Sequence, residues 1–166
     1  MNRYQGGNFR RRPGSQQRRR EQNNGVIEDF KRFLQNFNCF GDIAEENLRE
    51  LLKPQGYADR LAEFLKNHTR GIKSTQLRKF FNEIKSATQK AKTNLSDAKA
   101  TLWRIYPIIA YSEARYLMPG EFGDIMRLVL EKVESCSEEE RLKKSFERLN
   151  DFITALYAYF RKYAGG

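Results

Sequence analysis

From Leu142 to Tyr163, apolar residues recur at alternating steps of four and three: Leu142, Phe146, Leu149, Ile153, Leu156, Phe160 and Tyr163. That spacing marks one side of an α-helix, sustained far longer than chance patterning allows. Ser137 followed by Glu140 has the form of a capping box, so the helix is expected to start there and run to Tyr163. Its length would be about 39 Å at 1.5 Å per residue. A helix with such a stripe has to bury it against other helices, which makes it the expected spine of a bundle. Phe152, Tyr157 and Tyr159 widen the apolar side and call for a second neighbour, within the monomer or across a subunit interface.

The rest of the chain has the same period. Phe30, Phe33, Leu34 and Phe37 form a short helix, and Asp42 with Glu45 reads as a capping box opening a second one. Ala58, Leu61, Ala62 and Leu65 face inward on a segment from Tyr57 to Asn67. Leu77, Phe80, Phe81, Ile84 and Ala87 follow, with Ser74 or Thr75 as N-cap. Thr93 or Asn94 caps the next run, Leu95 to Ile109, which Pro107 is expected to kink or break. Met118-Pro119-Gly120 marks a boundary before Phe122, Ile125, Met126, Val129 and Val133. The fold class is therefore all-α, a compact bundle of about five principal helices with additional short ones. No run of strands, domain linker or internal repeat is visible.

Charge divides the chain in two. The formal net charge is +10, yet residues 1–20 alone hold seven arginines and no acid. Residues 21–166 carry 24 basic and 21 acidic residues, a net of +3. Residues 1–25 lack periodicity and are expected to form a flexible arginine-rich arm, with 26–166 as the helical domain. The excess attracts polyanions without selecting one. No segment approaches the length of a membrane span, and the N-terminus lacks the apolar core of a secretory signal. Cys39 and Cys136 are expected to be reduced, partly buried thiols of a cytoplasmic protein.

Catalytic patterns are missing. His68 is the sole histidine, and two cysteines 97 residues apart do not make a zinc motif. No phosphate-cradling glycine loop and no dinucleotide fingerprint occurs. The expectation is no catalytic residue, no metal and no cofactor.

The residues best suited to phosphate lie beside the Leu77–Ala87 face. Arg78 and Lys85 share a polar stripe with Asn82, Gln89 and Lys92, and Lys79 flanks it. Arg104 and Arg115 accompany the Pro107 segment together with Tyr106, Tyr111 and Tyr116. An exposed tyrosine can stack a base, whereas one turned inward is a core or interface aromatic. Arg141, Lys143, Lys144 and Arg148 make a second cluster, diluted by Glu138–Glu140 and Glu147 and explained by a solvated face with internal ion pairs.

The segment Ser74-Thr75-Gln76-Leu77-Arg78-Lys79-Phe80-Phe81-Asn82-Glu83-Ile84 resembles a signature of the small subunit of the type III-A CRISPR effector, the Csm complex. Leu102, Ile105, Pro107, Ile109, Ala110, Tyr111 and Arg115 resemble that family's second motif, and Tyr57 to Lys66 resembles the stretch before the signature. The likeness covers roughly Tyr57 to Arg115. The arginine-rich arm and the wide Thr88–Leu95 connection depart from it.

The resemblance implies a non-catalytic helical bundle stacked in several copies along a backbone filament that holds guide RNA. Such subunits line the channel of the guide–target RNA duplex and touch its backbone without reading sequence. It further implies that the backbone subunit cuts target RNA and the large subunit supplies the DNase and cyclic oligoadenylate synthesis. Arg78, Lys79 and Arg115 carry over from the motifs as RNA contacts. Lys85, Lys92 and Arg104 are added from their chemistry. Gln76 is expected either at RNA or as a local stabiliser. The expected partners are guide and target RNA, the backbone and large subunits and other copies of the chain, with no membrane. The alternatives are the small subunit of the related type III-B effector, a self-associating helical scaffold with incidental basicity, or a DNA-binding regulator.

Overall fold

A computed structural model describes residues 14–68 and 70–165. Its elements are α1 (Gly14–Gln35), a 3-10 turn (Phe40–Asp42), α2 (Glu45–Leu52), α3 (Tyr57–Asn67), α4 (Ser74–Lys90), α5 (Leu95–Trp103), α6 (Ile105–Ala114), α7 (Gly120–Glu134) and α8 (Glu139–Tyr163). Six of these helices have ten residues or more, and no strand occurs among the described residues. The all-α bundle is as the periodicity requires.

α8 is the spine. It packs on α3, α4, α7, α2 and the 3-10 turn. Leu142, Phe146, Leu149, Phe152, Ile153, Leu156 and Phe160 are buried along it. The extra aromatics find partners inside the monomer. Phe81 of α4 stacks on Tyr157 at 4.8 Å between centroids. The Tyr159 hydroxyl donates to the Leu52 carbonyl at 2.8 Å, and that of Tyr163 to Asp59 at 2.7 Å. These bonds hold α2 and the start of α3 against the end of α8. Asp59 is itself buried and accepts the Gln55 N–H at 2.8 Å, which satisfies both of its oxygens.

Pro107 does break a helix. α5 ends at Trp103 and α6 begins at Ile105, so proline falls in the first turn of α6. Amides there have no intrahelical acceptor, and the missing N–H removes no bond. Asn94 caps α5 by accepting the Asp97 N–H at 3.1 Å. The Thr88–Leu95 connection is therefore short, because α4 persists to Lys90.

Several local expectations are corrected. α1 starts at Gly14, inside the stretch read as arm, and residues 1–13 lie outside those described. Ser74 is the first residue of α4 rather than its cap, and Lys73 takes the N-cap position without a side-chain bond. α8 is preceded by Glu138, not by a Ser137 cap. Asp42 does not open α2. Its carboxylate accepts the Cys39 N–H at 3.3 Å and pairs with Arg141, whose Nε and Nη2 lie at 2.9 and 2.6 Å. Cys39 and Cys136 are joined as a disulfide with a Cα–Cα distance of 5.4 Å, so the reduced-thiol expectation is overturned.

The 3-10 turn approaches α8 closely at Gly41. Its N–H donates to the Ser145 hydroxyl at 2.6 Å, and a Cβ there would run into the Arg141 carbonyl oxygen. The basic cluster of α8 is structural at Arg141 and Arg148. Arg148 is buried and donates to the Ile43 carbonyl and to Glu45 at 3.3 and 3.1 Å. It is not part of a solvated face, although Lys143, paired with Glu139 at 3.0 Å, is.

The Arg141 hydrogen bond holds the Asp42 carboxyl below the usual carboxylate range. A depressed pKa contributes stability that is present above about pH 4 and is lost as pH falls through the lowered value. Urea melts from about pH 2 to 5 should show Asp42→Asn with a shallower acid loss than wild type. Parallel curves would remove the pair from the acid response.

Candidate nucleic-acid interface

Burial of Leu77, Phe80, Ile84 and Ala87 decides what α4 shows to solvent. Arg78, Lys79, Asn82, Glu83 and Gln89 are left exposed on its outer side. Among the described residues, no side-chain hydrogen bond or ion pair engages Arg78 or Lys79. Their charges are neither neutralised nor committed. The first turn of α4 carries no acid, so the positive end of its dipole adds to them.

Lys85 lies on the same helix but is committed. Its Nζ donates to Asn150 Oδ1 of α8 at 2.7 Å and sits 5.7 Å from the Phe81 ring centroid. It braces α4 against α8. Lys92 is exposed just past the helix end, at a cleft of about 570 Å³ between α4 and α8. Lys143, Glu147 and Asp151 also line that cleft, so cations and carboxylates offset each other and the site does not favour an anion. Burial pushes the Asp151 carboxyl up.

Arg104 and Arg115 are exposed at opposite ends of α6. Beside Arg104, Trp103 is half exposed and its Nε1 donates to Glu134 at 2.7 Å. Tyr106 faces inward with an unpartnered hydroxyl, and burial followed by the Glu134 and Glu131 charges raises its pKa. Tyr111 and Tyr116 face outward, 59% and 68% exposed. The Arg115 guanidinium lies over Tyr111 at 5.8 Å, and that of Arg70 over Tyr116 at 4.7 Å.

α6 ends in a double closure. The Leu117 N–H donates to the Ser112 carbonyl at 2.8 Å, and the Tyr116 N–H to that of Glu113 at 3.0 Å. This is the Schellman pattern, and Tyr116 fills its left-handed position with φ 55°. Glycine is the usual occupant, and a side chain there costs about 1 kcal/mol.

The structure thus gathers Arg70, Tyr116, Arg115 and Tyr111 where the end of α6 meets the loop before α4, and Arg78 and Lys79 follow on the first turns of α4. Lys92 and Arg104 stand apart from that group. Arg70 has no signal in the sequence, since its partner is remote and no period relates the two. Gln76 is half-buried.

Among the described residues no three His, Cys, Asp or Glu side chains are placed to hold a metal. No helix there is long and apolar enough to cross a membrane. The family model described as Csm2 Type III-A matches residues 45–166. That span contains both motifs and extends them through α7 and α8. No curated protein and no solved structure matches the chain.

Proposed function

Since the chain belongs to the Csm2 type III-A family, the non-catalytic RNA-binding and assembly subunits of the Csm ribonucleoprotein complex, we propose that the outer side of α4 is where it meets RNA phosphates. The observation that carries this is the state of Arg78 and Lys79. Among the described residues they are exposed and unengaged and stand side by side on one helix, whereas Arg127, Arg141, Lys143 and Arg148 are held by carboxylates. A free cation neutralises a phosphate without first breaking a pair.

The ligand is the guide–target RNA duplex, bound by shape and charge while base pairing reads sequence. The backbone subunits, the large subunit and further copies of the chain complete the assembly. A body of net +3 over residues 21–166 binds RNA weakly alone, and repetition along a filament supplies avidity. Arg115 joins the α4 contacts from the end of α6. Lys85 acts through position, by fixing α4 on α8. Lys92 and Arg104 are peripheral. Residues 1–25 add a second, loosely specific electrostatic tether.

The test is capture of unrelated RNA sequences by wild type and by Arg78→Ala/Lys79→Ala. The pair variant should lose affinity equally for every sequence, with unchanged helical circular dichroism. A loss that depends on sequence, or no loss, would refute the phosphate path.

A further inference from the structure

Tyr116 occupies a backbone position that glycine fills better, and its ring is not used by the core. It is 68% exposed, and the Arg70 guanidinium lies over it at 4.7 Å. Arg70 comes from the loop before α4 and Tyr116 from the end of α6, so two separate elements converge on the ring. Tyr111 and Arg115 repeat the arrangement one turn earlier on α6. Strain kept at a surface aromatic, together with a cation fixed on its face, suits a ligand that is itself flat and electron-rich.

We propose that the Arg70–Tyr116 pair is a stacking site for an unpaired nucleobase of RNA. The inference rests on the phosphate path along α4. Phosphates held by Arg78 and Lys79 would bring the strand past the loop that carries Arg70. An exposed tyrosine ring offers a π-face to any base, so the site is tolerant of sequence but selective for single strands over duplex. Lys73, exposed at the N-cap of α4, adds positive charge between the pair and the helix. An apolar protein contact is less well matched, because the Arg70 cation on one face of the ring favours an electron-rich partner. The site adds a contact to bases where α4 offers contacts to phosphates alone.

The test uses the full chain, a single-stranded RNA with one 2-aminopurine, and a fully paired RNA of equal length. Wild type and Tyr116→Phe should quench the 2-aminopurine emission. Tyr116→Gly should bind the single strand roughly tenfold more weakly and the duplex equally well. The same variant should melt about 2–4 °C higher, since glycine relieves the left-handed position. Higher melting excludes misfolding as the source of lost binding. Unchanged single-strand affinity and quenching in Tyr116→Gly would overturn the stacking site. If Arg78→Ala/Lys79→Ala still weakened binding in that case, the phosphate path would stand. Equal loss on both RNAs would also overturn stacking. Unchanged RNA binding with loss of incorporation into the Csm particle would assign the pair to a protein contact and overturn it as well. Wild type that binds neither RNA would remove both readings.

Discussion

Reducing the Cys39–Cys136 bond, or replacing both residues by alanine, is expected to lower the unfolding free energy by about 2–5 kcal/mol. The bond joins positions 97 residues apart, so it removes much of the unfolded chain's freedom. Both cysteines are buried, and they tie the 3-10 turn to the residue region just after α7. The Gly41–Ser145 bond and the Asp42–Arg141 pair lie on the same turn and depend on its position. Urea melts with and without reductant check this. Wild type should shift to lower urea on reduction, and the alanine pair should not respond to reductant. Wild type that ignores reductant, and matches the alanine pair, would show that packing alone holds the turn.

Phe152→Ala should cost about 3–5 kcal/mol. Phe152 is fully buried on α8, with its ring 5.4 Å from Phe30 of α1 and 6.4 Å from Phe40 of the 3-10 turn. Phe30 stacks in turn on Tyr57 of α3 at 5.5 Å. The ring therefore joins α8 to α1 and the 3-10 turn, and reaches α3 through Phe30. Phe152→Leu keeps most of the volume and should cost less, about 1.5 kcal/mol. The midpoints of urea melts decide this. A loss under about 1 kcal/mol in Phe152→Ala would mean that the site collapses and is not the centre of the core.

Apolar spacing made the bundle legible because burial on a helix repeats locally. The Leu142–Phe160 stripe, the inward faces of α3, α4 and α7, and the break near Pro107 all follow from neighbours three or four residues apart. What depended on distant residues was not legible. Asp42 resembled a cap from its neighbours, yet its charge is claimed by Arg141. The cysteines looked like isolated thiols because their separation along the chain says nothing of their 5.4 Å approach. Gly14 to Gly25 carries no apolar stripe, so the early start of α1 had no periodic signal.

The candidate site divides in the same way. The exposure of Arg78 and Lys79 follows from the burial of Leu77 and Phe80 beside them. The commitment of Lys85 to Asn150, 65 residues away, does not. Nor does the meeting of Arg70 with Tyr116, which exists only once α4 and α6 have packed.

The most direct measurement of the central claim is the slope of log K against log salt for single-stranded RNA, in wild type and Arg78→Ala/Lys79→Ala. Each phosphate neutralised on a single strand contributes about 0.7 to that slope, so losing two contacts should make it shallower by about 1.4. The lines should converge as salt rises. Identical slopes, or binding that ignores salt in wild type, would contradict the assignment of α4 to the phosphate path.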